Sequence, residues 1–372
     1  MNRRQFVMLL ATGVLGSLGK RPAFAREDAE ATPSLCDLAG NRFTVGTAAM
    51  SRHLADPRLA ELITHQFNSF TPENEMKPIS VHPRPGEWNF DAADRIADFT
   101  TKHEMQLIGH TLCWHQQSPR FLFESEQGEP LPRDQAIENL REHVQTVADR
   151  YRGKVQGWDV VNEAVDDGGP YLRDTPALQA IGEDFLPLAF KFAREADPDA
   201  KLLYNDYNID QDYKRPKTLR LLEALDKAGQ RPDAVGIQAH WLLNSPSLDE
   251  IERGLKTYID AGYEVHLTEL DVDPLPRRGA GADLNAAEQG QNPYPNGLPP
   301  EMSGKLAERY RQLFDLILKH EKHIGRVTFW GIHDGLSWLN GFPVRGRTNH
   351  PLLFDRDLKP KPAFDAVADV LG

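Results

Sequence analysis

Eight short apolar runs alternate with segments of helical periodicity along most of the 372-residue chain, and this rhythm predicts an α/β fold closed into a single-domain (β/α)8 TIM barrel. Two further observations point the same way. The runs are apolar on both faces, as strands covered by helices are, whereas a half-exposed sheet would alternate apolar with polar residues. Polar and aromatic residues gather just past the ends of the runs, where a barrel of this kind carries its site. An open doubly wound sheet shares the alternation, but its dinucleotide-binding form needs Gly-x-Gly-x-x-Gly after the first strand, and none follows.

Taken in order, the chain opens with Arg3-Arg4, an apolar stretch over 9–18 and then Ala23-Phe24-Ala25. Paired arginines, a short apolar core and an Ala-x-Ala ending read as an export signal of the twin-arginine type, cleaved after Ala25. The apolar run is shorter than the ~20 residues a membrane span needs. Residues 26–372 are then the catalytic barrel domain of an exported protein, periplasmic or secreted, with no membrane association after cleavage. The strands are expected at 43–48, 66–71, 106–113, 155–162, 201–205, 234–239, 265–270 and 327–332. Among the intervening helices, Leu306, Tyr310, Leu313, Phe314, Ile317 and Leu318 fall on one face, as do Leu219, Leu222, Leu225 and Ala228. Asp197-Pro198 and Gly229 end two helices.

Two segments interrupt the rhythm. The stretch 273–300 is rich in Pro, Gly and Asn, and a connection that long usually serves binding or is disordered. It follows a strand that carries a carboxylate and is expected to border the cleft, with 337–356 as a second wall. No Ser/Thr/Pro-rich hinge leads to a further module.

Removing residues 1–25 takes away Arg3, Arg4, Lys20 and Arg21 and no acid, so the formal charge moves from −12 to −16. An acidic balance argues against nucleic acid or an anionic membrane as partner, since both need concentrated basic charge. It suits a soluble protein acting on a neutral polymer. The two cysteines, Cys36 and Cys113, lie in the leading segment and in an apolar strand; no disulfide is expected between them, and neither has metal-ligand spacing.

The chemistry lies at two strand ends. Val160-Val161-Asn162-Glu163 closes the fourth run, and Leu267-Thr268-Glu269-Leu270-Asp271 lies at the end of the seventh. Strands four and seven of an eight-stranded barrel face each other nearly across its mouth. Two carboxylates aimed at one bond are the minimum equipment for hydrolysing a glycosidic linkage, at about 5–5.5 Å apart for retention and about 6.5–9.5 Å for inversion. Glu163 is assigned as acid/base and Glu269 as nucleophile. Glu269 must stay anionic and so wants hydrogen-bond donors; His240 is placed to supply one, with Asp271 accepting the other ring N–H. Glu163 must hold a proton, which a nearby anionic Glu269 and partial burial both favour. His110, His115 and His240 lack the spacing of a zinc helix, and no metal is assigned. Trp158 and His266 are read as packing, Trp114, Trp330 and Trp338 as sugar-stacking platforms.

At these residues the sequence closely resembles the family 10 glycoside hydrolases, the endo-β-1,4-xylanases. The matching elements are Glu73-Asn74-Glu75-Met76-Lys77, Gly109-His110-Thr111-Leu112-Cys113-Trp114-His115, Trp158-Asp159-Val160-Val161-Asn162-Glu163-Ala164, Gly236-Ile237-Gln238-Ala239-His240, Leu267-Thr268-Glu269-Leu270-Asp271, Trp330-Gly331-Ile332 and Ser337-Trp338. They occur in the family's order from about residue 43 to 364. Cys113 stands where an aliphatic residue is expected and is read as packing. The resemblance implies that Asn162 binds the 2-hydroxyl of the sugar under attack, that His110 and Lys77 contact that sugar, and that Glu73, Asn74 and Gln117 hold the next. It places Trp114, Trp330 and Trp338 around those subsites and Gln238 and His240 behind the glutamates. Xylose lacks glucose's hydroxymethyl group, so Gln117 and Trp338 exclude glucan by crowding. The expectation is a monomeric, exported, retaining endo-1,4-β-xylanase without a cofactor, acting on xylan and xylo-oligosaccharides. The competing expectations are a β-1,4-glucanase on the same barrel, a polysaccharide-binding protein without activity, and a metal hydrolase.

Overall fold

The computed structural model describes residues 32–275 and 291–372; the expected export signal lies outside them. Eight strands form a closed, wholly parallel ring: β1 (Thr44–Ala49), β2 (Ser69–Pro72), β3 (Gln106–Trp114), β4 (Val155–Asn162), β5 (Lys201–Asp206), β6 (Ala234–Ile237), β7 (Glu264–Asp273) and β8 (Ile324–Phe329). Each pairs with the next, and β8 closes on β1 with Val45 opposite Val327. Nearly every strand residue is buried, because one face packs inside the barrel and the other under the helices. This is the pattern that two-sided apolar runs anticipate.

Helices fill the connections, among them Asp91–Lys102, Arg133–Arg150, Phe185–Ala196, Arg215–Lys227, Leu248–Asp260 and Pro300–Lys319. In the last, Leu306, Tyr310, Leu313, Phe314 and Ile317 are buried, while Leu318 is half-buried at the edge of the stripe. The face of the Arg215–Lys227 helix differs from expectation: Thr218, Leu221, Leu222 and Leu225 are buried, Leu219 is half-buried and Ala228 is an exposed cap. The core includes Trp158, fully buried against the barrel wall. Gly109 on the neighbouring strand makes room for it, since a Cβ there would lie 2.0 Å from the indole.

Several strand boundaries move, and β7 runs three residues past its expected end, to Asp273. Gln66 ends the helix Pro57–Gln66 rather than starting β2, and its buried amide accepts from Leu35 N at 3.0 Å and donates to Pro33 O at 3.1 Å. β6 stops at Ile237 because Ala239 turns to φ +62°. The chain then pairs His240–Leu242 alongside the upper half of β7, with His240 opposite Asp271. β8 begins and ends three residues early, leaving Trp330-Gly331-Ile332 beyond it with Gly331 at φ +134°. Among the described residues, no helix is long and apolar enough to cross a membrane, and Cys36 and Cys113 are both unpaired, Cys113 buried.

Candidate active site

The carboxyl ends of the strands open into a groove of about 300 Å³. Its lining includes Glu73, Asn74, Lys77, His110, Trp114, Gln117, Asn162, Glu163, Gln238, His240, Glu269, Trp330 and Trp338, so the structure brings the expected residues into one place. Asp271 stands one layer back, behind His240. Of the two expected walls, 337–356 contributes Trp338 and Phe342. The segment 273–300 does not border the groove in its described parts: residues 291–294 dock instead on 347–350, where Arg347 Nε donates to Gln291 O at 3.1 Å and Thr348 N to Asn292 Oδ1 at 3.0 Å. Residues 276–290 lie outside the described residues.

Both glutamates are buried, each 5 % exposed, yet their surroundings treat them oppositely. Glu163 follows the last residue of β4 and turns at φ +58°. Trp114 Nε1 donates to its Oε2 at 2.9 Å and Gln238 Nε2 to its Oε1 at 3.0 Å. Burial nevertheless pushes its carboxyl above the usual range, helped by the charges of Asp206 and, less, Glu269. Glu269, inside β7, receives His240 Nε2 at 3.1 Å on one oxygen and Asn205 Nδ2 at 2.8 Å on the other. Burial alone would raise it too, but the His240 hydrogen bond, the electrostatic pull of His110 and His240, and the Asn205 amide together hold it below the usual range.

His240 itself is clamped. Its Nδ1 lies 3.1 Å from Asp271 Oδ2, and Trp338 Nε1 donates to the same oxygen at 2.7 Å. Burial works against a proton on the ring, but Asp271 and Glu269 outweigh it and lift His240 to about 9. The ring is therefore an imidazolium donating to both carboxylates at neutral pH. On the other flank, His110 Nδ1 meets Asp159 Oδ2 at 2.9 Å, and Trp330 packs edge-on to His110 at 5.3 Å. Lys77 Nζ donates to Asn74 Oδ1 at 2.9 Å and stands 5.0 Å from the centre of the Trp114 ring. Burial lowers its proton affinity, against the pull of Glu269, Glu73 and Glu163.

Asn205, at the end of β5, joins the halves of the site. It is fully buried, and its Nδ2 donates both to Asn162 Oδ1 at 2.9 Å and to Glu269 Oε1 at 2.8 Å, while Thr268 Oγ1 donates to its Oδ1 at 2.6 Å. Gly236 leaves space for it: a Cβ there would sit 2.5 Å from Asn205 Oδ1.

The glycosyl hydrolase family 10 model matches residues 34–370. The chain belongs to family 10. An endo-1,4-β-xylanase A from Xylanibacter ruminicola is 42% identical over 346 residues, spanning 91% of this chain and 94% of that protein. An endo-1,4-β-xylanase from Geobacillus stearothermophilus is 42% identical over 340 residues, spanning 91% and 98%. Among solved structures, a family 10 endoxylanase from a sugarcane soil metagenome superposes with a TM-score of 0.85 at 41% identity, covering 91% of this chain and 99% of that one.

For this family 10 chain, sequence reasoning left five groove or support residues without a role: Asp159, Asn205, Tyr207, Asn208 and Phe342. Asp159 stands in a matching motif, and Asn205, Tyr207 and Asn208 lie at or just past the end of the fifth run, so position was a signal; Phe342 had only its place in the second wall. The larger omission is Asp206. It ranks above Glu269 among the charges that raise Glu163, and no spacing in the sequence reveals that. Glu75, part of a matching motif, is not in the groove lining and accepts from Ser51 N at 2.5 Å and Asn74 N at 3.3 Å. No group of three or more His, Cys, Asp or Glu among the described residues is arranged to hold a metal ion.

Proposed function

We propose that this family 10 chain is a retaining endo-1,4-β-xylanase in which Glu163 is the acid/base and Glu269 the nucleophile. One observation carries the roles: two carboxyls lining one groove, equally buried, are driven in opposite directions by their neighbours. That is the division of labour double displacement needs. Xylanase relatives that match over nine-tenths of the chain support the substrate.

In the first step Glu163 gives its proton to the oxygen leaving the anomeric carbon while Glu269 attacks from the opposite face. The new ester removes the Glu269 charge. Glu163, now the carboxylate, loses one source of its raised proton affinity and takes a proton from the water that cleaves the ester. Asn162 binds the 2-hydroxyl of the reacting sugar, its side chain held by Asn205 and Gln238. His110 and Lys77 contact the same ring; Glu73, Asn74 and Gln117 hold the next. Trp114, Trp330 and Trp338 shape the walls, and Gln117 and Trp338 crowd the place of a glucose hydroxymethyl. Exclusion by one small substituent is worth about 1–3 kcal/mol, so weak action on cello-substrates accompanies the main activity. The protein acts as a monomer, and residues 26–372 are the catalytic domain exported after loss of the leader 1–25, to the periplasm or beyond.

Glu163→Ala tests both roles. The variant should still form the glycosyl ester from an activated aryl xylobioside, and added azide should restore turnover with β-glycosyl azide as product. An α-azide, or no rescue, overturns the assignment. Preference for carboxymethylcellulose over xylan by the native enzyme would overturn the substrate.

A further inference from the structure

Glu163 is held in a backbone conformation its side chain disfavours. Its φ of +58° lies in the left-handed region, which a residue other than glycine keeps only where its surroundings impose it. The surroundings are specific. Glu163 N donates to Asn205 O at 2.9 Å, and Arg173 Nε donates to Glu163 O at 3.1 Å. The next two amides, Ala164 N and Val165 N, both donate to the Tyr204 hydroxyl, at 3.2 and 3.1 Å. Tyr204 in turn donates to Asp206 Oδ2 at 2.5 Å. Lys214 Nζ donates to Asp206 Oδ1 at 2.7 Å and Tyr207 N to the same oxygen at 2.8 Å. Tyr204, Asp206 and Lys214 are all fully buried. Asp206 also reaches Glu163 from the other side, because its carbonyl accepts from the backbone of Gln238, whose side chain donates to Glu163 Oε1 at 3.0 Å.

A buried ion pair is a poor device for stability alone, since apolar groups of the same volume often serve as well. Burial raises the proton affinity of Asp206, and Lys214 and the Tyr204 hydroxyl oppose that rise by favouring its anion; the carboxylate so held is placed where it acts on the acid/base. We propose that Asp206, clamped by Lys214 and Tyr204, is a positioning residue for Glu163: it fixes the left-handed turn that presents the Glu163 carboxyl to the groove and places a carboxylate paired with Lys214 behind it. The proposal rests on Glu163 acting as acid/base. The other groups facing Glu163 are Glu269 from β7, Lys77 from beyond β2, Arg173 from the loop after β4, and the neutral donors Trp114, Gln238 and Asn162. Of the two anions, only Asp206 persists through the reaction. When Glu269 becomes an ester its charge is gone, and burial together with Asp206 keeps Glu163 basic enough to take the proton from water.

Two variants are compared on two substrates: phenyl xylobioside, whose leaving group needs a proton, and 2,4-dinitrophenyl xylobioside, whose leaving group does not. Asp206→Asn should lower kcat/KM on the phenyl substrate about tenfold or more at neutral pH and leave the dinitrophenyl substrate within roughly threefold. Its alkaline limb should move to lower pH by about one unit, because a lost anion makes Glu163 more acidic. Tyr204→Phe keeps the charge and removes the tether; it should show the same split between substrates with its alkaline limb in place. Equal losses on both substrates, an unmoved limb in folded Asp206→Asn, or an equal limb shift in Tyr204→Phe overturns the proposal. Should Asp206→Asn fail to fold, the substrate split in Tyr204→Phe decides. Glu163→Ala separates the levels. Without a substrate split there, the acid/base reading falls and takes the Asp206 proposal with it; with one, a negative result at Asp206 and Tyr204 sinks only the latter.

Discussion

Replacing His240 by alanine removes the cation that keeps the nucleophile ionised, and the structure sets the size of the effect. The ring is protonated up to about pH 9 and donates to Glu269 Oε2 over 3.1 Å. A hydrogen bond from a charged donor is worth roughly 1.5–3 kcal/mol, and losing it raises the proton affinity of Glu269 by that amount, about 10- to 150-fold at 1.36 kcal/mol per tenfold. The sign is fixed by which form reacts. Glu269 must be ionised, so the acid limb of kcat/KM moves up, and at any pH below both limbs the variant is slower by roughly 10- to 150-fold. Above the limbs the deficit shrinks, because both enzymes then carry the carboxylate. The fold should tolerate the change: Asp271 keeps the Trp338 indole at 2.7 Å and Glu269 keeps the Asn205 amide at 2.8 Å. The assay is kcat/KM on an activated aryl xylobioside from roughly pH 4 to 8, with the melting temperature as control. A folded variant whose acid limb stays in place refutes the argument that His240 holds Glu269 charged.

Two predictions concern the scaffold. Gly109→Ala should destabilise the protein by about 1–3 kcal/mol or more, since its methyl would lie 2.0 Å from the buried Trp158 ring; an unchanged melting temperature would show that the indole yields freely. The second concerns acid. His82 and His143 pack as a buried pair, Nδ1 to Nδ1 at 3.4 Å and stacked beside Trp88. Burial lowers His82 to about 4, and burial aided by His82 lowers His143 to about 3. Both bind protons near 6.5 once unfolded, so their stabilisation is intact above that pH and is lost as pH falls toward 4 and then 3. Each steepens the decline by up to about 1.4 kcal/mol per pH unit. The urea midpoint should therefore drop between neutral pH and about 4.5, and His143→Phe should flatten that drop; equal midpoints at both pH values in the native protein would refute the linkage.

What was legible in the sequence follows from what is local. The barrel strands announce themselves because runs such as Leu202–Tyr204 and Val265–Leu267, buried on both faces, carry their own signal. Glu163 and Glu269 stood out because strand ends are sites by topology, and both line the groove. The errors arise where a distant partner decides. Gln66 looks like the start of a strand until its amide is seen to be bound by Pro33 and Leu35 across 31–33 residues. The end of β6 depends on the positive φ of Ala239, which alanine does not advertise. The Arg215–Lys227 helix keeps Leu222 and Leu225 on its buried face but takes Thr218 and Leu221 in place of Leu219 and Ala228, because the barrel, not the spacing, chooses which residues face it. Asp206 adds a further case: Tyr204 and Lys214 are near in sequence, but Val165 comes from beyond β4, and only their convergence gives the carboxylate a meaning.

The same principle explains how one groove can hold two carboxyls in different states. Burial acts on Glu163 and Glu269 alike and, acting alone, would leave both protonated and the site inert. Their donors differ in charge. Glu163 receives neutral N–H groups from an indole and an amide, which favour its anion only modestly, and it faces the buried anion Asp206. Glu269 receives an imidazolium that is itself charged because Asp271 stands behind it and Glu269 in front. The asymmetry therefore originates one layer behind the groove, in Asp206 on one flank and Asp271 on the other. An acid on β5 acts directly to keep one glutamate protonated, while an acid on β7 acts through histidine to keep the other ionised. Exchanging only the two glutamates' direct donors would not exchange their roles, since each of these buried aspartates would still favour the original state of its side.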